Sequence, residues 1–478
     1  MRRTPSLDDP GFRSNEGWGS RISESIERNI MRVSVIGTGY VGLVTGVCFA
    51  EKGHQVTCVD VDQAKVDAIN SGVSPIHERG LEDLLKKHVG GLLRASTDLS
   101  GAVQQTDLSL IAVGTPFNGR EIDLSYIKAV SKEIGLALKA KSGYHGIVVK
   151  STVVPGTTDD VVCPILEAAS GKKAGRDFGV GMNPEFLTEG EAVNDFLFPD
   201  RIVLGGMDNT IIDQQASLYE GFPGVEVLHV NNKTAEMIKY TANALQAMLI
   251  SFSNEIGNLC TAVKGVDVLD VMRGVHVSRY LTVEMPDGRR VQPQIVSFLA
   301  AGCGFGGSCF PKDVKALAAH GQRLHAPMHL LDAVLKINEQ QPQKIIQLLK
   351  KHFTSLKGVR ISILGLSFRP DTNDMRESPA IPIIRSLLQE GAVMKGYDPE
   401  ATDEARKIFP VQELMLCESL SDALGKVDAV VLVTRWDEFR AVPELLKNKN
   451  PQPVFVDGRR LLDKTTIERY EGIGFEAK

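Results

Sequence analysis

The stretch Arg32-Val33-Ser34-Val35-Ile36-Gly37-Thr38-Gly39-Tyr40-Val41-Gly42 decides the fold of this 478-residue chain. Arg32–Ile36 is a short β-branched run that suits a buried strand. Gly37, Gly39 and Gly42 then fall in a G-x-G-x-x-G pattern. An apolar, helix-compatible stretch runs on to Lys52, with Gly53 placed as a C-terminal cap. Val56–Asp60 predicts a second strand. The order strand, glycine-rich turn, helix, strand is a βαβ unit. In such a unit Gly37 permits the tight turn, Gly39 lets the backbone approach a pyrophosphate, and Gly42 allows close helix–strand packing. Phosphates would rest on the positive end of the helix. Asp60 lies 23 residues after Gly37. A carboxylate at that spacing accepts hydrogen bonds from both ribose hydroxyls and repels a 2′-phosphate, so NAD is expected ahead of NADP. The turn by itself also suits FAD, S-adenosylmethionine or no ligand.

Outward from this unit the texture continues. Leu108–Val113, Gly146–Lys150, Phe178–Met182 and Arg201–Leu204 predict strands, separated by helices such as Ser125–Leu138. That alternation implies a parallel sheet with helices on both faces. The texture changes after Asn231. Thr234–Thr261 contains no Pro and only Gly257, and Ile238, Leu245, Leu249, Phe252, Ile256 and Leu259 mark one face of a long amphipathic helix. Helical character resumes over Lys312–His320 and Leu330–His352. Then strands return at Val359–Leu364, Val393–Tyr397, Ala429–Thr434 and Val454–Asp457, with a helix at Ile381–Glu390. The turn of this second unit, Gly365-Leu366-Ser367-Phe368, lacks the first glycine pattern and reads as nucleotide-binding or purely structural. The predicted fold is α/β: two Rossmann-like parallel-sheet domains joined by a central helical domain with a long helix. A polar extension occupies 1–30, with a short helix over Arg21–Asn29. The first Rossmann domain spans 31–230, the helical domain 231–330 and the second Rossmann-like domain 331–478.

Composition excludes several classes. Hydrophobic residues are 43% and charged residues 24%, which is ordinary globular usage and not that of a disordered or collagenous chain. A net charge of −5 gives no reason to expect nucleic acid as a partner. No apolar run approaches the roughly 18 residues of a membrane span, and the first thirty residues lack a signal-peptide core. The expected location is the cytoplasm. The seven cysteines, at 48, 58, 163, 260, 303, 309 and 417, include no CxxC pair. Neither a disulfide framework nor a metal site is expected.

Three local features carry chemistry. In Gly304-Phe305-Gly306-Gly307-Ser308-Cys309-Phe310-Pro311-Lys312-Asp313 a glycine-rich loop delivers a cysteine to a helix start. Backbone amides, the helix dipole and Lys312 would lower the thiol pKa and make Cys309 a nucleophile, with Asp313 orienting water. A small buried structural thiol fits the same residues equally well. Lys239 and Asn243, four apart on the long helix, share a face and suit an alcohol that becomes a carbonyl. A solvated lysine with an unrelated asparagine is the alternative. Asn183-Pro184-Glu185-Phe186-Leu187-Thr188-Glu189-Gly190 places two carboxylates in a loop after a strand, as a general base acting through water or as acidic residues at a helix start.

Taken together, these motifs resemble the nucleotide-sugar dehydrogenases, the UDP-glucose and GDP-mannose 6-dehydrogenases, from about Met31 to Gly474. Val113-Gly114-Thr115-Pro116, Ser151-Thr152-Val153-Val154-Pro155-Gly156-Thr157-Thr158, Glu236–Tyr240, Phe368–Ser378 and Asp457-Gly458-Arg459-Arg460 add to the likeness. The resemblance implies a four-electron oxidation of a sugar C6 alcohol to a carboxylate with NAD, through a thiohemiacetal and a thioester on Cys309. It implies that Lys239 and Asn243 stabilise oxygen charge, and that Glu185, Asp313 and Thr152 position or activate water. Gly37, Gly39, Tyr40, Val41, Gly42, Asp60, Lys65, Thr115, Thr152, Glu189 and Arg376 would surround NAD. Glu185, Phe186, Leu187, Lys239, Asn243, Arg279, Gly306, Phe368, Arg369 and Arg459 would contact the sugar nucleotide. Within the family the loop 183–190 favours the UDP-glucose and GDP-mannose branches over the N-acetyl-sugar branch, and the segment Phe305–Asp313 favours UDP-glucose, with GDP-mannose as the alternative. The long helix is expected to build a homodimer or higher homo-oligomer, and the product would serve polysaccharide biosynthesis. A two-electron hydroxyacid dehydrogenase and a non-catalytic NAD-binding protein are the competing readings. Thr282–Gln294 departs from the family as an insertion with a polar turn, and Cys303 stands where many relatives have proline.

Overall fold

The computed structural model describes residues 29–476. The expected helix over Arg21–Asn29 and the extension before it lie, except for Asn29 and Ile30, outside the described residues.

The opening motif folds as read. β1 (Arg32–Ile36) enters the helix Tyr40–Glu51 through the glycine turn, and β2 (Gln55–Val59) pairs parallel to β1 from Arg32↔Gln55 to Ile36↔Val59. Gly37 holds φ +97°, and a Cβ on Gly42 would come within 1.8 Å of the Gly37 carbonyl, so neither position tolerates a side chain. Val33, Val35, Leu43, Val44 and Val47 are fully buried between strand and helix. At roughly 1.5–3 kcal/mol per buried aliphatic side chain, this contact fixes where the turn points.

Six more strands complete the sheet: β3 (Leu93–Ser96), β4 (Leu108–Ile111), β5 (Gly146–Val149), β6 (Gly179–Met182), β7 (Arg201–Gly206) and β8 (Glu226–Val230). Their order is β3-β2-β1-β4-β5-β6-β7-β8. The chain reverses direction in the sheet between β1 and β4, and ligands bind at such a switch point beyond the carboxyl ends of the strands. One expectation needs correction. The sheet is not wholly parallel: β6 and β7 pair antiparallel, and β8 then follows β7 in parallel. The chain leaves β6 and enters β7 at the same edge, so the intervening segment needs no crossover. It keeps the whole Asn183–Gly190 loop at the carboxyl end, over the switch point.

β9 (Val283–Glu284) and β10 (Arg290–Val291) form a small exposed antiparallel hairpin from the inserted Thr282–Gln294 segment. The second sheet contains β11 (Arg360–Leu364), β12 (Val393–Tyr397), β13 (Leu414–Leu416), β14 (Ala429–Leu432), β15 (Val454–Asp457) and β16 (Tyr470–Gly472). It is parallel throughout, in the order β13-β12-β11-β14-β15-β16. Asp398, after β12, accepts from Leu366 N, Ser367 N and Oγ, Glu400 N, Ala401 N and Trp436 Nε1. With its acceptor sites filled from within, the second turn is braced as a structural one.

Between the sheets runs the helix Asn232–Val263, capped by Asn231 and 32 residues long. At 1.5 Å per residue it spans about 48 Å. The apolar stripe faces away from the rest of the chain. The face buried within the chain carries small and polar residues, among them Ala235, Glu236, Lys239, Asn243, Ala247, Ser251 and Asn254. Leu245, Phe252 and Leu259 are 45%, 48% and 59% exposed, and Ile238, Leu249 and Ile256 are half-buried. Periodicity located the stripe correctly, but the chain's own packing reserves the small residues for close approach of the helices Phe310–Arg323 and His329–Lys350.

Candidate active site

Cys309 is the N-cap residue of the helix Phe310–Arg323, with Pro311 in its first turn. Three neutral amides hold the loop before it. Asn254 Oδ1 accepts from Gly302 N (2.7 Å), Gln341 Nε2 donates to Gly302 O (2.7 Å), and Asn338 bonds both Phe305 N (2.7 Å) and Phe305 O (3.0 Å). Gly307, at φ +86°, lies against the Phe368 ring, where a Cβ would come within 2.7 Å, and its amide donates to Arg376 O (2.9 Å). A Cβ on Gly306 would meet Glu377 O at 2.3 Å. Gly306 and Phe368 therefore seat the cysteine loop on the Phe368–Ser378 segment.

Around the thiol two paired charges converge. Lys239 Nζ lies 3.1 Å from Glu185 Oε1, both side chains buried, and Leu187 N donates to Glu185 Oε2 (2.6 Å). Asn243 Nδ2 donates to Asp313 Oδ2 (2.6 Å), and Lys312 pairs with the other oxygen of Asp313. The spacing of four between Lys239 and Asn243 does place both at the site. Ser308 Oγ lies 3.7 Å from Cys309 Sγ and donates to Glu189 Oε1 (2.8 Å). Arg376 reaches the same Glu189 oxygen (3.2 Å) and grips Asp374 from Nε at 2.8 and 3.0 Å.

The electrostatics correct one expectation. Burial pushes the Cys309 thiol up to about 11; Lys239 and Lys312 oppose this, while Asp313 and Glu185 add to it. The helix start and Lys312 do not leave a depressed thiol, because desolvation of the sulfur outweighs them. Burial also penalises Lys239 as a cation, but Glu185, Cys309 and Asp313 together hold its pKa above the ordinary value. Burial alone would raise Glu185; Lys239, the Leu187 amide and Lys150 keep it below the usual carboxylate range. Glu189 goes the other way, up to about 7, through burial and the neighbouring Asp374. The site thus holds one neutral thiol, one firmly charged lysine and one carboxyl poised near neutrality.

The dinucleotide cradle lies beside these groups. No side chain caps the helix Tyr40–Glu51 at Gly39, and a Cβ on Gly39 would have no atom within 4 Å. Free helix-terminal amides over open space fit a pyrophosphate. Val41 follows in the first turn of that helix. Asp60 accepts from Thr38 N (2.9 Å), Thr38 Oγ1 (2.6 Å) and Asp62 N (3.1 Å), with Lys65 at 3.8 Å. These donors leave about one acceptor site. Its Oδ1, bonded only by Asp62 N, keeps the more room for a ribose hydroxyl. Thr115 Oγ1 donates to Thr152 O (2.8 Å), joining the two threonine loops.

Other expected residues take different places. Phe186 lies under the Arg201 guanidinium (3.8 Å to the ring centre) and near Lys239 (5.5 Å); Leu187 is half-buried beside it. Arg459 donates to Val433 O (2.6 Å) and Gly304 O (2.7 Å), so it clamps the cysteine loop to the second sheet. Arg369 is half-buried and acts on Asp195 by charge. Arg279 is exposed on a short turn and makes no hydrogen bond or ion pair among the described residues.

Sequence reasoning missed four supports. Glu78, 7% exposed, accepts from Gly190 N (2.8 Å), Ala192 N (2.9 Å) and the Tyr40 hydroxyl. The phenol of Tyr40 thus ties the glycine turn to the 183–190 loop. Glu236 accepts from Gly156 N (2.6 Å), Thr158 N (2.8 Å) and Thr158 Oγ1 (2.7 Å), fixing the Thr152 loop to the long helix. Asp374 and Lys150 complete the set. For Lys150 a signal existed: a lysine ends the buried run Gly146–Val149.

Among the described residues no group of three His, Cys, Asp or Glu side chains is arranged to hold a metal ion, and no helix is long and apolar enough to cross a membrane.

Three family models match in succession: the NAD binding domain of the UDP-glucose/GDP-mannose dehydrogenase family over residues 31–223, its central domain over 233–340 and its UDP binding domain over 362–464. A UDP-glucose 6-dehydrogenase of Haloferax volcanii is 40% identical over 452 residues, covering 94% of this chain and 100% of that protein. A GDP-mannose 6-dehydrogenase of Pseudomonas savastanoi is 39% identical over 445 residues, covering 91% and 95%. The structure of a UDP-glucose dehydrogenase from Pyrobaculum islandicum superposes with a TM-score of 0.86 at 35% identity, covering 94% of this chain and 99% of that one. The chain belongs to the UDP-glucose/GDP-mannose dehydrogenase family and is an NAD-dependent nucleotide-sugar dehydrogenase.

Proposed function

We propose that this enzyme oxidises the C6 alcohol of UDP-glucose to the carboxylate of UDP-glucuronate. The observation that carries the chemistry is the convergence of Cys309, the Lys239–Glu185 pair and the Asn243–Asp313 pair beside the glycine turn. Bound NAD accepts a hydride in each of the two half-reactions. Lys239 and Asn243 donate to the substrate oxygen as its charge develops, and the alcohol proton leaves toward Glu185 through Lys239 or water. The Cys309 sulfur then bonds to the aldehyde carbon as a thiohemiacetal, its proton passing to the oxygen. Loss of the second hydride and the hydroxyl proton leaves a thioester. Water, held by Asp313, Glu185 and Thr152, adds to that carbonyl, and the C–S bond breaks to release the carboxylate and the thiol. A covalent sulfur keeps the carbon in place between the two oxidations.

In this reading the turn Gly37–Gly42 with Tyr40 and Val41 holds the pyrophosphate, and Asp60 with Lys65 the ribose. Thr115, Thr152, Glu189 and Arg376 border the nicotinamide. Phe186, Leu187, Arg369 and Arg459 flank the sugar nucleotide. Domains at 31–230, 231–330 and 331–478 divide the work, and the enzyme acts in the cytoplasm, supplying polysaccharide synthesis. The exposed stripe Leu245–Phe252–Leu259 supports a homodimer built on the long helix, which also gives exposed Arg279 a site to reach. The UDP-glucose relatives from Haloferax and Pyrobaculum support the substrate; the Pseudomonas relative keeps GDP-mannose as the second reading. A panel of sugar nucleotides, followed by NADH absorbance to completion, tests both. UDP-glucose should give two NADH per sugar. Turnover of GDP-mannose without UDP-glucose would reverse the choice, and one NADH per sugar would remove the thioester route.

A further inference from the structure

Lys150 is a buried cation that the chemistry above leaves without a task. It follows β5, is 3% exposed, and forms no direct ion pair with a carboxylate among the described residues. Its Nζ donates to Asn183 Oδ1 (2.9 Å) and lies 3.4 Å from Asn183 O. Asn183 is itself pinned: Oδ1 also accepts from the Tyr219 hydroxyl (2.6 Å), and Nδ2 donates to Val203 O (2.9 Å). Lys150 and Asn183 are the first residues beyond the adjacent parallel strands β5 and β6. They form a floor under the 151–158 and 183–190 loops. A buried ammonium held only by neutral groups is costly, and a methionine of similar length would fill the space at less expense. The cost is offset where the charge is used.

The charges that meet here come from three other elements. Glu185 faces Lys150 from the loop after β6, Lys239 faces Glu185 from the long helix, and Cys309 with Asp313 faces Lys239 from the cysteine helix. Burial and Lys239 push the Lys150 ammonium down to about 8, while Glu185 supports it. Glu185 thus pairs with Lys239 at 3.1 Å and feels the charge of Lys150 at longer range.

We propose that Lys150 is a positioning residue for the oxidation: it anchors Asn183 at the root of the loop and holds Glu185 ionised, so that Lys239 keeps its carboxylate partner while facing Cys309. This rests on the roles given above to Glu185 and Lys239.

The test measures kcat/KM for UDP-glucose against pH in wild type, K150M, K150Q, K150R and E185Q, with the KM for NAD recorded in each. Lys150 acts on Glu185 through space and ranks behind Lys239 and the Leu187 amide among the groups that lower it. In K150M and K150Q the acidic limb should move up by a fraction of a pH unit, with the KM for NAD unchanged and the wild-type limb restored in K150R. A purely structural role would lower rate or yield and leave the limb in place. K150Q keeps a neutral polar side chain beside Asn183 and gives the reading if K150M does not fold. A K150M or K150Q profile that superimposes on wild type overturns the inference. Wild-type turnover in E185Q would instead overturn the role of Glu185 itself.

Discussion

The sharpest consequence of the site concerns how Cys309 reacts when no substrate is bound. Burial holds its thiol at about 11, against an ordinary value of 9.0. Two units correspond to about a hundredfold smaller thiolate fraction near neutral pH. Only the thiolate is alkylated at a useful rate. Iodoacetamide should therefore modify Cys309 in the free enzyme with a rate that climbs about tenfold per pH unit from 7 to 10, without a plateau. The slope carries the argument, because restricted access lowers the absolute rate without bending the profile. Quantifying the alkylated peptide by mass spectrometry separates Cys309 from the other six cysteines. The signs of its neighbours add two internal checks. K239M removes the main cation favouring the thiolate and should slow alkylation further; D313N removes a repelling carboxylate and should quicken it. A plateau near pH 7, or the opposite ordering of the two variants, would refute the reasoning and restore the activated cysteine expected from the glycine loop.

Three further outcomes follow. Replacing Asp60 with serine removes the charge that would repel a 2′-phosphate. Its preference for NAD over NADP should fall by about tenfold or more, an effect of roughly 1.4 kcal/mol, and an unchanged kcat/KM ratio would place discrimination elsewhere. Gly307→Ala forces a left-handed residue and a Cβ onto the Phe368 ring. It should lose at least about 1–2 kcal/mol in urea unfolding together with turnover, and an unaltered midpoint would mean that the loop shifts freely. Leu259→Asp puts a charge into the exposed stripe; size-exclusion chromatography should show a smaller species than wild type, and identical elution would separate the stripe from assembly.

What could be read in advance had local causes. β1, the fingerprint turn and the helix Tyr40–Glu51 are encoded within twenty residues, and strand, turn and helix appear where expected. Helical spacing put Lys239 and Asn243 on one face, but it took the family resemblance to single them out. Edge strands were invisible: β8 (Glu226–Val230) buries little, so it carries no alternating pattern. The supports were invisible for another reason. Glu78 meets Gly190 across 112 positions, Glu236 meets Gly156 across 80, and Lys150 meets Asn183 across 33. No local pattern encodes such pairs; the topology of the first sheet brings them together. The pKa of Cys309 failed for a third reason, since a helix start and a lysine are visible in sequence but desolvation is not.

The three amides that hold the cysteine loop have a consequence of their own. Asn254, Asn338 and Gln341 neither gain nor lose a proton, and their bonds are not ion pairs that salt screens. Groups near the sulfur such as Glu189 titrate; the three amides, and the Arg459 guanidinium bonded to backbone carbonyls, do not. Changes of pH or salt therefore retune the reactivity of Cys309 at a constant address, and kinetic profiles of this enzyme report chemistry at one fixed place.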